Sequence, residues 1–238
     1  MSEFGEAFEF IIHNGAVAGY PNLPSLVHLT LETLKVGVIG LAISLVVALP
    51  LGVWLGHIHR GSFFAINVGN LGRALPSLVV LAIGDAFFGL GLGVVEVALI
   101  ILAFAPIVTN AYLGVVEVDP ELVDAARGMG MSEWEILRRV ELPLAVPLIF
   151  AGIRTAALFV ISTATIASLA GFSGTLGDVI ANETSYHFSG VLGAAICVAL
   201  LALAVEGALA LVQHALTPRG VKLELRSRGA LGDTVAVT

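Results

Sequence analysis

Two groups of residues in this sequence have types and spacing that could support chemistry. The segment GFSG at positions 171–174 matches the GxSG pattern around a serine nucleophile, and His187 or His214 could serve as its base. The second pattern, His57-x-His59, offers two imidazoles that could ligate a metal ion. Each pattern requires the chain to bring its residues together, so the elements that carry them must be placed first.

The composition indicates that most of these elements lie in a membrane. Hydrophobic residues make up 58% of the 238 residues and charged residues only 12%, whereas soluble domains carry about 25% charged residues. The 11 lysines and arginines and the net charge of -7 leave no basic face that could bind nucleic acid. The single cysteine, Cys197, cannot form an intrachain disulfide and is interpreted as a small packing residue.

Apolar stretches long enough to cross a bilayer, about 20 residues each, recur along the chain. They predict an all-α membrane protein with about five transmembrane helices: 36–56, two within 74–116 that are separated by the glycine-rich FFGLGLG at 87–93, 144–170 and 191–216. We expect residues 63–73 to extend the second span inward. The predicted domains are an extracytoplasmic N-terminal segment at 1–28, a transmembrane permease domain at 29–216 and a cytoplasmic tail at 217–238.

The distribution of basic residues predicts the orientation of these spans, because cytoplasmic loops are enriched in lysine and arginine. Of the 11 basic residues, only Lys35 falls on the side of the N-terminus, which leaves ten on the other side. We therefore expect a multi-pass protein of a bacterial or archaeal cell (inner) membrane, with its N-terminus outside and its C-terminus in the cytoplasm.

This topology argues against catalysis and metal binding. Ser173 would lie at the outer end of span four and His214 at the cytoplasmic end of span five, while His187 sits in an outer loop without a span to hold it. An intramembrane serine protease is kept as an alternative, but a glycine-rich turn explains the segment better. His57 and His59 are interpreted as interfacial polar residues, so no metal and no cofactor are predicted. A secondary transporter would usually show inverted repeats, and we find none.

Two charged residues are predicted to lie at the same depth in the membrane. Arg154 lies ten positions after residue 144, where span four begins. Glu206 lies ten positions before residue 216, where span five ends. At 1.5 Å per residue both lie roughly 15 Å from the same face. An isolated charge there costs about 2.5–3.5 kcal/mol, so we predict an intramembrane charge pair, Arg154 with Glu206. Separate contacts with water and, for Glu206, a contact with a cationic solute are the alternatives.

A polar stretch, DAARGMGMSEWEILRRVELP at 124–143, separates spans three and four. Asp119 can cap a short helix that has Pro120 at its first position, and Gly128 and Gly130 allow that helix to stop. The stretch therefore begins on a helix and continues into a glycine hinge.

A second helix is predicted to follow the hinge. Ser132 and Glu135 have the spacing of a capping box, and Pro143 is expected to close this helix before span four. Together they predict a helix-hinge-helix that projects into the cytoplasm. The alternative is an amphipathic linker that lies on the membrane surface.

This stretch resembles the EAA loop of ABC importer permeases, in which Glu-Ala-Ala, three residues, Gly, nine residues and Ile-x-Leu-Pro follow one another. Here the corresponding positions are 124–126, Gly130 and 140–143, with Asp for the Glu and Val for the Ile. The segments ALPSLVVLAI (74–83), DPELVDAARGMGM (119–131), PLAVPLIFAGIR (143–154) and SGTLGDVI (173–180) are similar to the glycine betaine, carnitine and choline permeases of the osmoprotectant group. The resemblance covers roughly residues 28–216.

The resemblance implies a type I ABC importer permease fold and a translocation subunit that is not itself an enzyme. A cytoplasmic ABC ATPase would receive the cytoplasmic EAA loop at 117–143, and an extracytoplasmic solute-binding protein would deliver the solute. A second permease subunit, identical or paralogous, would complete the pathway within the membrane lipid. The residues expected to couple to the ATPase are Asp124, Ala125, Ala126, Gly128, Met129, Gly130 and Met131.

The absence of a phosphate-loop motif bears on this assignment. Neither lysine of the chain follows a glycine, so no GxxxxGK[ST] phosphate loop can be written and ATP hydrolysis must occur in a separate subunit. The expected solutes are quaternary-ammonium osmoprotectants such as glycine betaine, choline or carnitine. Another small solute, such as the amino acid methionine, is the alternative.

Overall fold

In the part that the structure describes, the chain forms helices joined by turns and short loops. A computed structural model describes residues 3–15, 24–89 and 91–218, and it contains no strand in these ranges. The α-helices are α1 (Glu3–Ile12), α2 (Leu26–His57), α3 (Ser62–Ala74), α4 (Ser77–Phe88), α5 (Leu92–Val116), α6 (Pro120–Gly128), α7 (Glu133–Ile136), α8 (Leu142–Ile166), α9 (Gly177–Ala181) and α10 (Glu183–Leu216). A π-helical turn, Leu137–Glu141, joins α7 to α8, and a 3-10 turn, Ala167–Ala170, ends α8.

Four continuous helices are long and apolar enough to cross a membrane. They are α2, α5, the helix Glu133–Ala170 that includes α8, and α10, and a fifth span is possible if the bent pair α3 and α4 is taken together. The chain is a multi-pass membrane protein. The predicted tail at 217–238 lies almost wholly outside the described residues.

The second predicted span is not straight. We expected residues 63–73 to extend it, but α3 and α4 meet at an angle of 87°. Leu75 precedes Pro76 and has extended backbone angles, as the ring of a following proline favours, so the helix must stop there. With its 12 residues, α4 rises only about 18 Å, which is less than the roughly 30 Å of a hydrocarbon core. The predicted break after α4 is present, with Gly89 at φ 74°.

The central helix of the bundle is α5, which packs between α2 and α8. A Cβ added at Gly52 of α2 would lie 2.6 Å from the carbonyl oxygen of Val108, and one added at Gly152 of α8 would lie 2.6 Å from that of Pro106. Residues without a side chain let helix backbones approach closely, which is the usual way that helices associate in lipid. These glycines therefore hold α2 and α8 against opposite sides of α5.

The second helix of the polar stretch does not end at Pro143, as we had expected. Glu133 to Ala170 forms one continuous helical segment of 38 residues, with Pro143 in the first turn of α8. Proline lacks an amide hydrogen and its ring collides with the carbonyl four residues earlier in an α-helix. The π-helical turn Leu137–Glu141 directly before it is wider than an α-helical turn, which leaves room for the ring. The polar stretch from Glu133 onward and span four are thus one continuous helical segment.

The N-terminal segment, α9 and the start of α10 pack together at the opposite end of the bundle from α6 and α7. The N-terminal segment forms α1, whose Phe10 meets Tyr186 of α10 edge-on with the ring centroids 6.2 Å apart. The segment between α8 and α10 is not an open loop, because it contains α9 and the amide of Leu176 donates to Thr33 Oγ1 of α2 over 2.9 Å. α10 begins at Glu183, earlier than the predicted start of span five, and bends at His187, where φ is 57°.

Arg154 and Glu206 join α8 to the second half of α10. The buried residues of α10 all lie in its first third: Tyr186, Gly190, Gly193 and Ala194. Beyond them, Arg154 Nε donates to Glu206 Oε1 over 2.8 Å and Arg154 Nη2 contacts the same oxygen. Arg154 Nη1 also donates to Gln213 Oε1 over 3.2 Å. The structure therefore brings together the two charges that depth alone had placed at one level.

We expect the charges of this pair to be exchangeable. Arg154→Glu or Glu206→Arg alone should lower the yield of folded protein severalfold, because each places two like charges side by side where one unpaired charge costs about 2.5–3.5 kcal/mol. The double reversal should recover much of that yield, measured as monodisperse protein after detergent extraction. Arg138→Glu, an exposed site, is the control. A double reversal that yields no more than the worse single variant would contradict the pairing.

Candidate functional site

The polar stretch folds into two short helices joined by a tight turn, which we call the knob (residues 119–136). Its first helix, α6, begins as predicted. Asp119 accepts a hydrogen bond from the amide of Glu121 over 2.9 Å, and Pro120 occupies the first turn, where its missing amide hydrogen costs nothing. The helix ends at Gly128.

A Schellman motif closes α6 and turns the chain. The amide of Gly130 donates to the carbonyl of Arg127 over 3.0 Å, and that of Met131 donates to the carbonyl of Ala126 over 3.2 Å. Gly130 has φ +84°, which L side chains rarely adopt, although a Cβ there would meet open space. The backbone angle, and not crowding, therefore requires glycine at this position.

The second helix of the knob begins with the predicted capping box. The amide of Glu135 donates to Ser132 Oγ over 3.4 Å, and Glu135 Oε2 accepts from the amide of Ser132 over 3.1 Å. Both exposed amides at the start of α7 are thus satisfied by side chains of the same turn.

Arg127 bridges the two helices of the knob. It donates from Nε and Nη2 to the two carboxylate oxygens of Glu133, over 3.0 and 3.2 Å, and from Nη1 to Asp124 over 3.0 Å. The hydrogen bond with Glu133, together with the nearby negative charges, raises the pKa of the Arg127 guanidinium. Arg127 and Glu133 were absent from our sequence-based site. The sequence feature that could have indicated this contact is a cation and an anion on either side of the glycine hinge.

The outward face of the knob mixes apolar and acidic groups. Met129 is 72% exposed, Trp134 66% and Leu122 49%, and the Asp124 side chain remains 75% exposed beside Arg127. Ala125 is exposed, whereas Ala126 is 2% exposed and packs against its own chain. Of the two small residues predicted to face a partner, only Ala125 is thus accessible to one. Exposed large apolar residues on a projecting element are typical of an interaction surface.

His57 and Glu141 make a buried contact beneath the knob. His57 is the last residue of α2, and its Nδ1 lies 2.6 Å from Oε2 of Glu141, which is 2% exposed on the π-helical turn. The other ring nitrogen, Nε2, lies 3.9 Å from Glu133 Oε2. Our sequence analysis missed this contact, because the two residues are 84 positions apart.

The alternative sites are not assembled in the described parts of the chain. The ring of His59 contacts the carbonyl oxygen of His57, 3.1 Å away, and does not join its imidazole. Within residues 3–15, 24–89 and 91–218, no group of three or more His, Cys, Asp or Glu could hold a metal ion. Ser173 lies in a turn between Gly171 and Gly174, both at positive φ, and no described histidine hydrogen-bonds to it.

Arg154 of the intramembrane pair lies on the same continuous helix as α7, the second helix of the knob. Arg154 belongs to α8, which continues from α7 without a break. Its partners Glu206 and Gln213 belong to α10. A displacement of the knob would therefore reach this polar cluster through the helix that connects them.

Comparison with known proteins identifies the family. Residues 24–218 match the family described as binding-protein-dependent transport system inner membrane component. The glycine betaine/carnitine/choline transport system permease protein OpuCB of Bacillus subtilis (strain 168) is 37% identical over 198 residues, which is 83% of this chain and 91% of that protein. The carnitine transport permease protein OpuCB of Listeria monocytogenes is 38% identical over 201 residues, 84% of this chain and 91% of that protein.

Solved structures agree with the fold. The chain resembles a chain of the MetNI methionine ABC transporter in an inward-facing conformation, with a TM-score of 0.69 and 22% identity over 81% of this chain and 96% of that one. An amino acid ABC transporter gives a TM-score of 0.63 and 24% identity, over 80% of this chain and 92% of that one. With a family match over most of its length, close permease relatives and this helical arrangement, the chain belongs to the binding-protein-dependent transport system inner membrane components.

Proposed function

We propose that this chain is the permease subunit of an ATP-driven ABC importer for quaternary-ammonium osmoprotectants such as glycine betaine, choline or carnitine. The observation that carries the proposal is the knob: a preformed, exposed helical element located where the sequence resembles an EAA loop. The named relatives, which transport these solutes, support the choice of solute class. The solute among the three is left open.

The knob is proposed to dock in a cytoplasmic ABC ATPase. Its exposed Met129 and Trp134 offer apolar contact area, and Asp124 offers a charge to a basic partner residue. Because α7 continues into α8 as one segment of 38 residues, a displacement of the knob would move the whole of that span. ATP hydrolysis in the partner would thus be transmitted to the membrane without a flexible joint.

Two further protein partners complete the proposed importer. An extracytoplasmic binding protein would deliver the solute at the end of the bundle formed by α1 and α9. A second permease subunit, identical or paralogous, would share the pathway, because the second half of α10 has no buried residue within this chain. Lipid would cover the remaining apolar faces of the helices.

This assembly requires the knob to lie in the cytoplasm. The excess of basic residues on the knob side supports that orientation, including Arg127, Arg138 and Arg139 in the described part of the chain. In the proposed orientation the N-terminal segment lies outside and the C-terminal tail lies in the cytoplasm, and the protein resides in the cell (inner) membrane.

Reconstitution tests the proposed function directly. The purified permease, its co-expressed ATPase and the solute-binding protein are placed in liposomes, and uptake of labelled glycine betaine, choline, carnitine and methionine is measured. We expect uptake of at least one quaternary-ammonium solute that requires ATP, the ATPase and the binding protein together. Uptake by the permease alone would instead indicate a secondary transporter, and uptake of methionine alone would assign a different solute class.

The turn of the knob should be sensitive to the type of side chain that replaces Gly130. Gly130→Val should reduce uptake about tenfold or more while leaving assembly intact, because valine strains the φ of +84° and would displace α7. Gly130→Asn is the matched control, since asparagine adopts positive φ more readily and a Cβ at this position meets open space. Equal uptake by the two variants would show that the turn does not transmit coupling.

The acidic residue of the knob should contribute to association with the ATPase. Asp124→Lys should lower the fraction of ATPase that co-purifies severalfold, because it reverses the exposed charge and repels Arg127 in the same helix. Glu6→Lys, an exposed acid of α1 at the opposite end of the bundle, serves as the control. Full ATPase recovery with the Asp124 variant would argue against docking at this face.

A further inference from the structure

The contact between His57 and Glu141 joins two elements that the sequence leaves far apart. Glu141 is 2% exposed and His57 about 10% exposed, and their polar atoms are 2.6 Å apart, a short distance that is typical of a hydrogen bond with a charged partner. Among the described residues, His57 is the one hydrogen-bond partner of the Glu141 carboxylate. Removing it would leave a buried acid unpaired, which is strongly unfavourable.

The contact extends into the knob through a series of polar side chains. The second nitrogen of His57 faces Glu133 over 3.9 Å. Arg127 donates hydrogen bonds to both carboxylate oxygens of Glu133 and to the carboxylate of Asp124. The end of α2 is therefore bonded to the π-helical turn through Glu141 and lies beside Glu133, which joins the two helices of the knob.

The end of α2 is itself held firmly by the bundle. Gly56, the residue before His57, packs so closely on α5 that an added Cβ would lie 2.8 Å from Val115 Cβ and 2.9 Å from the carbonyl oxygen of Tyr112. Any force on His57 is thus passed to α5 with little local adjustment. Glu141 occupies the unspecified position of the Ile-x-Leu-Pro pattern, so this contact is not part of the family motif.

We propose that His57 is a positioning residue that ties the knob to α2, so that displacement of the knob moves α2 and α5 together with α8. This proposal rests on the proposed function, because it assumes that an ATPase moves the knob. It assigns to the histidine a role in which it touches neither solute nor nucleotide. The ring acts through Glu141 and Glu133.

The test compares His57→Ala, His57→Gln and the double variant His57→Ala, Glu141→Gln with the control His59→Ala in the reconstituted importer. The readout is the amount of solute taken up per ATP hydrolysed, measured on complex that has assembled normally. We expect His57→Ala to lower this ratio about tenfold. His57→Gln should keep at least half of it, because the amide can still donate to Glu141. The double variant should be no worse than His57→Ala alone, since the contact is already lost and the amide leaves no buried carboxylate unpaired.

Other results would overturn the proposal. An unchanged uptake-to-hydrolysis ratio in His57→Ala would do so, as would a lower yield of complex whose remaining molecules couple normally, because the histidine would then serve folding alone. A lower ratio in His59→Ala as well would show a general effect of this helix end.

A second measurement separates this proposal from the proposed function. Hydrogen-deuterium exchange over residues 120–141 is compared among wild type, His57→Ala, His57→Gln and the control His59→Ala, each without partners. Loss of the tie in His57→Ala should raise exchange in the knob, and His57→Gln should not, even if no ATP-dependent uptake is found for the wild type. Unchanged exchange in His57→Ala would overturn the tie whatever the solute or the partner proves to be.

Discussion

The continuous helix from Glu133 to Ala170 is the constraint on which the other elements depend. It carries half of the knob at one end, packs on α5 through Gly152 and presents Arg154 to α10. A flexible joint at Pro143 would separate these contacts into two groups. The π-helical turn over Leu137–Glu141 prevents this, because it accommodates the proline ring without ending the helix. The same turn places the buried carboxylate of Glu141 beside α2.

Burial in lipid explains how the remaining helices are arranged around this segment. Apolar side chains gain little by leaving lipid for a protein interior, so close backbone contact and polar pairing must hold the helices. Gly52 and Gly56 allow close backbone contact between α2 and α5. Arg154 provides the polar pairing between α8 and the part of α10 that has no buried residues. The two kinds of contact thus join different pairs of helices.

Local patterns predicted more of the site than of the bundle. Asp119, Ser132 and Glu135 act on backbone groups within three residues of themselves, so spacing alone was sufficient. Counting the rise per residue was enough to place Arg154 level with Glu206. The contact of His57 with Glu141 depends on how α2 meets the π-helical turn, which no local rule describes. The angle of 87° at Pro76 and the continuity through Pro143 are also tertiary outcomes: a proline marks a probable boundary, but the surrounding packing decides whether the helix bends, stops or continues.

The knob is stabilised almost entirely by contacts between residues close in sequence. Its cap at Asp119, its Schellman motif, its capping box and the Arg127 contacts span no more than six positions each. Elements with such short-range contacts form quickly, because little chain entropy is lost in closing each loop. These local contacts can therefore begin to form as soon as the knob emerges during synthesis, and packing of Ala126 and Ile136 against the rest of the chain completes it. A partner that binds it meets a finished surface and loses little affinity to ordering it.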